Sequence, residues 1–117
     1  MLKKSRSKKN LFLTLEAPPV PGVYSFFNSD EKIIYVGQSK NLRRRLGQYK
    51  NAKRVKRHSK MRKILSEASR LEYEVCASPL EAEILETQLI QRLRPKWNVM
   101  GAFYFLYPMI GMRISNG

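Results

Sequence analysis

Acidic residues are scarce in this chain: 9 Asp and Glu stand against 23 Lys and Arg, which leaves a formal net charge of +14. A balance so far from neutral points to a polyanionic partner. Cysteine is nearly absent, with Cys76 alone, so no internal disulfide can form. The single histidine, His58, cannot build a histidine-rich metal centre, and any metal ion must be held by oxygen. Long apolar runs are missing too. No stretch approaches the roughly 18 to 20 residues that cross a bilayer, so nucleic acid is favoured over membrane. The apolar Leu11 to Leu15 is too short for a secretory signal, which makes the cytoplasm the expected compartment. No repeat or low-complexity segment is found.

What remains is sufficient for one folded domain: 117 residues, 43% of them hydrophobic and 10% aromatic. Residues 1–17 read as a basic arm, solvated and able to touch phosphates; 18–100 as the domain; 101–117 as an apolar tail. That tail, through residues 102–110, is expected to pack on the domain, on a protein partner or on a second copy.

Pro18-Pro19-Val20-Pro21-Gly22 is a stiff entry into the first strand. Val23 to Phe27 and Lys32 to Gly37 are β-branched and aromatic, and the polar turn Asn28 to Glu31 between them predicts a hairpin. A four-residue loop sets Phe27 opposite Lys32 and Tyr24 opposite Tyr35, so both phenols share a face; they could equally be ordinary cross-strand aromatics. Ser39 or Asn41 caps a helix to about Tyr49, with Leu42 and Leu46 inward and Arg43 and Arg44 outward. Asn41, Arg45 and Tyr49 stack at four-residue spacing. A basic loop comes next, then a helix over Ser59 to Ser69 with Met61, Ile64, Leu65 and Ala68 inward, then a strand over Leu71 to Ala77. Ser78-Pro79-Leu80-Glu81 is a strong helix start, and that helix stops before Pro95.

The last helix carries an anomaly. Ala82, Leu85, Leu89, Ile90 and Leu93 form an apolar stripe, and Glu86 falls within it. An unpaired buried carboxylate costs several kcal/mol, so Glu86 requires an arginine partner, a metal ion, or neutralisation through a raised pKa.

In order along the chain, Pro21-Gly22-Val23-Tyr24, Tyr35-Val36-Gly37, Lys40 to Leu46, Glu81 to Glu86 and Arg94-Pro95-Lys96-Trp97-Asn98-Val99 resemble the motifs of the GIY-YIG nuclease family. The likeness covers roughly residues 21 to 99 and is nearest the N-terminal nuclease domain of UvrC-type excision-repair endonucleases and their stand-alone homologues. It implies an α/β (α+β) fold: a small, mostly antiparallel three-stranded sheet that starts with a hairpin, flanked by three or more helices. It also implies Tyr24 and Tyr35 as signature tyrosines, Arg45 as the catalytic arginine, Tyr49 as a further site tyrosine, Glu86 as the metal ligand and Asn98 as a supporting residue. Gln38 departs from the lysine often found in UvrC-type domains.

The chemistry expected is hydrolysis of a DNA phosphodiester, with DNA repair or processing as its setting and one Mg²⁺ or Mn²⁺ held by Glu86. Arg45 would clamp the phosphate. Tyr24 or Tyr35 would be the general base, Tyr35 by resemblance. Gln38, Lys40, Arg43, Arg44, Lys53, Arg54, Lys56, Arg57 and Lys60 would contact DNA. The alternatives are a catalytically inactive nucleic-acid-binding module of the same fold and an RNA-binding basic protein.

Overall fold

In the computed structural model, residues 2–5, 16–52 and 56–100 are described. The prolines at 18, 19 and 21 cannot join a ladder, and the carbonyls of this segment instead anchor the first helix and the end of the last strand. Leu42 N–H donates to Val20 O (3.0 Å), Arg43 N–H to Pro18 O (3.2 Å) and Cys76 N–H to Pro21 O (2.9 Å). The sheet begins where the prolines end.

Among the described residues four antiparallel strands make the sheet: β1 (Leu2–Ser5), β2 (Gly22–Phe27), β3 (Ile33–Ser39) and β4 (Arg70–Val75), in spatial order β1-β4-β2-β3. Strands β2, β3 and β4 are those expected. The fourth is the finding: part of the basic arm, expected to be solvated, pairs its backbone with β4, whose outer edge offers unpaired N–H and C=O groups.

The β2–β3 hairpin forms, but its register differs from the expected one. Tyr24 faces Gly37, and Phe26 faces Tyr35. Asn28 N–H donates to Lys32 O, and the Asn28 carboxamide accepts from Asp30 and Lys32 N–H, so the loop is three residues, with Glu31 at φ 64. That moves the pairing by one. A bulge beyond Phe27–Ile33 then inserts Ile34 and moves it by another. Two one-residue slips restore the face, so Tyr24 and Tyr35 still share it, diagonally rather than opposite, with ring centroids 6.2 Å apart.

Helices α1 (Leu42–Lys50) and α2 (Ser59–Glu67) cover that face, and α3 (Pro79–Leu93) covers the other. Asn41 is the α1 cap, its side chain accepting from Arg44 N–H, while Ser39 Oγ accepts from Asn41 N–H. Phe26 and Leu42, both fully buried, anchor the first core, where each contributes about 1.5–3 kcal/mol. Met61 and Leu65 pack against it at its margin, with Ile64 and Ala68 buried. On α3 only Ala82 is fully enclosed; Leu85, Leu89 and Ile90 are half-buried against Val23, Val36 and Cys76. Leu93, expected in the core stripe, is 43% exposed, because it lies in the final turn just before Arg94 (φ 46) redirects the chain.

Two polar clusters were not anticipated. Arg70 and Glu72, both buried, pair along β4, with Glu31 also on the guanidinium and the Phe27 ring 3.7 Å from it. Glu67 at the end of α2 accepts from Lys96 Nζ (2.9 Å) and Trp97 Nε1 (3.3 Å), clipping residues 96–100, a helical turn, to the domain. The 101–117 tail, and with it the expected contact through 102–110, lies outside the described residues, as do Lys53 and Arg54.

Candidate active site

A cleft of about 380 Å³ opens at the β3 edge of the first core. It is lined by Tyr24 and Tyr35 from the hairpin, Gln38 at the end of β3, Arg45 and Tyr49 from α1, Arg57, Lys60, Met61 and Ile64 from the α2 region, and Glu86 from α3. Five of the six residues predicted as catalytic therefore converge. The sixth, Asn98, does not line the cleft. Its side chain accepts from Val36 N–H and donates to Val36 O, both at 2.8 Å, and so continues the ladder at the open edge of β3 beside Tyr35.

The phenols are closely packed. Tyr24 and Tyr49 are 2% and 3% exposed, and their hydroxyls are 3.2 Å apart. Tyr35 is less enclosed and faces the cleft. Burial raises the pKa of all three, with the Glu86 carboxylate next in importance for Tyr35. Arg45 lowers each value, but burial outweighs it.

Glu86 is half-buried, and its pKa is raised by burial first and by Glu83 second. Among the described residues no arginine or lysine forms an ion pair with it. The structural Glu–Arg pair considered from the sequence is therefore not formed there, and the carboxylate faces the cleft. Arg45 donates from Nη1 to Gln48 Oε1 (3.1 Å), one turn along the same helix, which leaves further donors of its fork available.

Of the residues expected to meet DNA, Gln38, Arg57 and Lys60 line the cleft, whereas Lys40, Arg43, Arg44 and Lys56 are exposed outside it. Arg43 also donates from Nε to Ala17 O (3.0 Å), which ties the entry segment to α1. The ammonium of Lys60 stands over the Tyr35 ring, 5.1 Å from the centroid.

Gly37 is required by this arrangement. It faces Tyr24 across the hairpin, and a methyl group there would collide with the Tyr24 ring and hydroxyl. Gly37→Ala is expected to lower stability by about 1–3 kcal/mol through overpacking. Denaturant unfolding measures this, and the Tyr24–Tyr49 contact should be displaced in the variant's structure.

A hairpin-led antiparallel sheet that brings two signature tyrosines, an arginine and a lone carboxylate to one cleft is the architecture of a GIY-YIG nuclease. The chain belongs to the UvrC-like GIY-YIG domain family, whose model matches residues 20–99. Among curated proteins it is 43% identical over 94 residues to UvrABC system protein C of Pseudothermotoga lettingae and 41% identical over 98 residues to that of Aquifex aeolicus. Those alignments cover 80% and 84% of this chain but only 17% of each relative, so the chain spans about one sixth of their length. Among solved structures it matches the GIY-YIG N-terminal endonuclease domain of UvrC from Thermotoga maritima, bound to its catalytic divalent cation, magnesium. The TM-score is 0.67 at 39% identity, covering 80% of this chain and 98% of that one. The expected fold and enzyme class, a GIY-YIG endonuclease, are those of the family.

Proposed function

We propose that this chain is a divalent-metal-dependent DNA endonuclease domain that hydrolyses a phosphodiester bond, acting in DNA repair in the cytoplasm. The observation that carries the reading is the half-buried Glu86 carboxylate, facing the same cleft as Arg45 and Tyr35 and unpaired among the described residues. The UvrABC system protein C relatives and the magnesium-bound UvrC endonuclease domain support it.

The donor set fits one hard cation. Among the described residues no three His, Cys, Asp or Glu side chains cluster, so an ion would rest on Glu86, waters and substrate phosphate, which suits Mg²⁺ or Mn²⁺. When bound, that ion neutralises phosphate charge, stabilises the departing 3′ oxygen and favours ionisation of nearby phenols.

The protein's own groups do the rest. Arg45 binds the non-bridging oxygens of the scissile phosphate, where its fixed fork matches their geometry. Tyr35, the least enclosed of the three phenols, acts as its phenolate: it orients the attacking water and takes its proton, returning to the neutral phenol, while the Tyr24–Tyr49 pair holds the hydroxyl cluster in place. The water oxygen bonds to phosphorus as the bond to the 3′ oxygen breaks. Asn98 positions Tyr35 through Val36. Arg57 and the exposed Lys40, Arg43, Arg44 and Lys56 contact neighbouring phosphates, reading charge rather than sequence.

A plasmid-nicking assay tests the reading. Supercoiled DNA should be converted to the open circle with Mg²⁺ or Mn²⁺, and chelation should abolish this while DNA binding persists. Binding that weakens steeply with salt but never yields nicks with either metal would instead establish the inactive binding module.

A further inference from the structure

Among the described residues the cleft presents three cations, Arg45, Arg57 and Lys60, and of these Lys60 is the one seated on an aromatic ring of the site. It enters from the first turn of α2, whereas Arg45 enters from α1, so the two approach the cleft from different helices. Among the described residues no carboxylate is paired with Lys60, in contrast to Lys96, which is held by Glu67. Burial lowers the Lys60 pKa, a sign that its ammonium has lost part of its hydration. A charge stripped of water acts more strongly on an adjacent anion than the same charge in bulk solvent.

We infer that Lys60 is a catalytic residue of this cleft, its ammonium contacting a non-bridging oxygen of the scissile phosphate beside Tyr35, opposite the Arg45 clamp. The inference rests on the endonuclease reading above. No proton moves to or from Lys60: its ammonium stabilises the negative charge that grows on the phosphate oxygens, and its methylene stem keeps the Tyr35 ring in place. In this it differs from Lys56, which does not line the cleft and is placed above against neighbouring phosphates. A group that meets the reacting phosphate should govern turnover; one that meets a neighbouring phosphate should govern affinity.

The test compares the parent chain with Lys60→Met, Lys56→Met and the double variant Lys60→Met/Gln38→Lys. Single-turnover nicking with Mg²⁺ gives the rate, and fluorescence anisotropy gives DNA affinity. Methionine keeps an unbranched apolar stem against Tyr35 and removes the charge. Lys60→Met is expected to lose about 100-fold in nicking rate, with DNA affinity changed by no more than about threefold. Lys56→Met should instead weaken DNA binding by about twofold or more, with any loss of nicking no larger than that loss of affinity. Moving the ammonium to position 38, which lines the same cleft, should restore at least about tenfold of the loss. Nicking by Lys60→Met at the parent rate, a rate loss matched by lost affinity, or a loss untouched by Gln38→Lys would each overturn the inference. A parent chain that never nicks is a separate result: it removes the endonuclease reading and this inference together.

Discussion

Replacing Glu86 with alanine is expected to abolish metal-dependent nicking, by about 1,000-fold or more in rate, equivalent to at least about 4 kcal/mol of lost transition-state stabilisation. DNA affinity should survive, because Glu86 adds negative charge to a basic surface and its removal costs no phosphate contact. The same side chain should show the opposite sign in stability. Burial raises the Glu86 pKa in the folded protein, so its contribution is favourable while it is protonated and is lost as pH rises through the raised value. At neutral pH without metal, Glu86→Gln should therefore be more stable than the parent, by about 0.5 kcal/mol and roughly 2–4 °C in Tm. Below the ordinary carboxylate range the two should melt together. Added Mg²⁺ should raise the Tm of the parent and leave that of Glu86→Gln unchanged.

Arg45→Ala is the second large effect. Removing a preorganised cation at the scissile phosphate is expected to lower the rate by about 100- to 1,000-fold. Arg45→Lys should recover only part of this, because an ammonium restores charge but not the two-pronged fork. Affinity for DNA should fall by less than about fivefold in either variant, since one of many phosphate contacts is lost. Single-turnover rates measured beside anisotropy separate the two quantities. An equal fall in both would recast Arg45 as a simple binding residue.

Much of this site could be read in the sequence, and the exceptions have physical causes. Periodicity exposed Glu86 because one carboxylate among leucines at helical spacing requires a cationic partner, a metal ion or a raised pKa. The shared face of Tyr24 and Tyr35 was recovered although the register was not. The loop length and the Ile34 bulge each shift pairing by one residue, and a period of two forgives their sum. The Asn98 clamp on Val36 was invisible as geometry: it joins positions 62 apart and depends on which strand forms the sheet edge. Arg70 and Glu72 escaped because charges on an alternating strand suggest a solvated face, whereas here they neutralise each other while buried. Lys60 could only be counted among many lysines until α2 was set against Tyr35. The phenols' raised pKa values come from depth of burial, which no spacing rule reports.

The Glu86 carboxylate is assigned here as the anchor of the cation in the cleft shared by Arg45 and Tyr35. Crystals soaked in Mn²⁺ and measured by anomalous diffraction test this most directly. One strong anomalous peak is predicted at roughly 2.0–2.3 Å from a Glu86 carboxylate oxygen, with waters completing the shell. A peak bound elsewhere, or Glu86 held by an arginine while the metal is ignored, would contradict it.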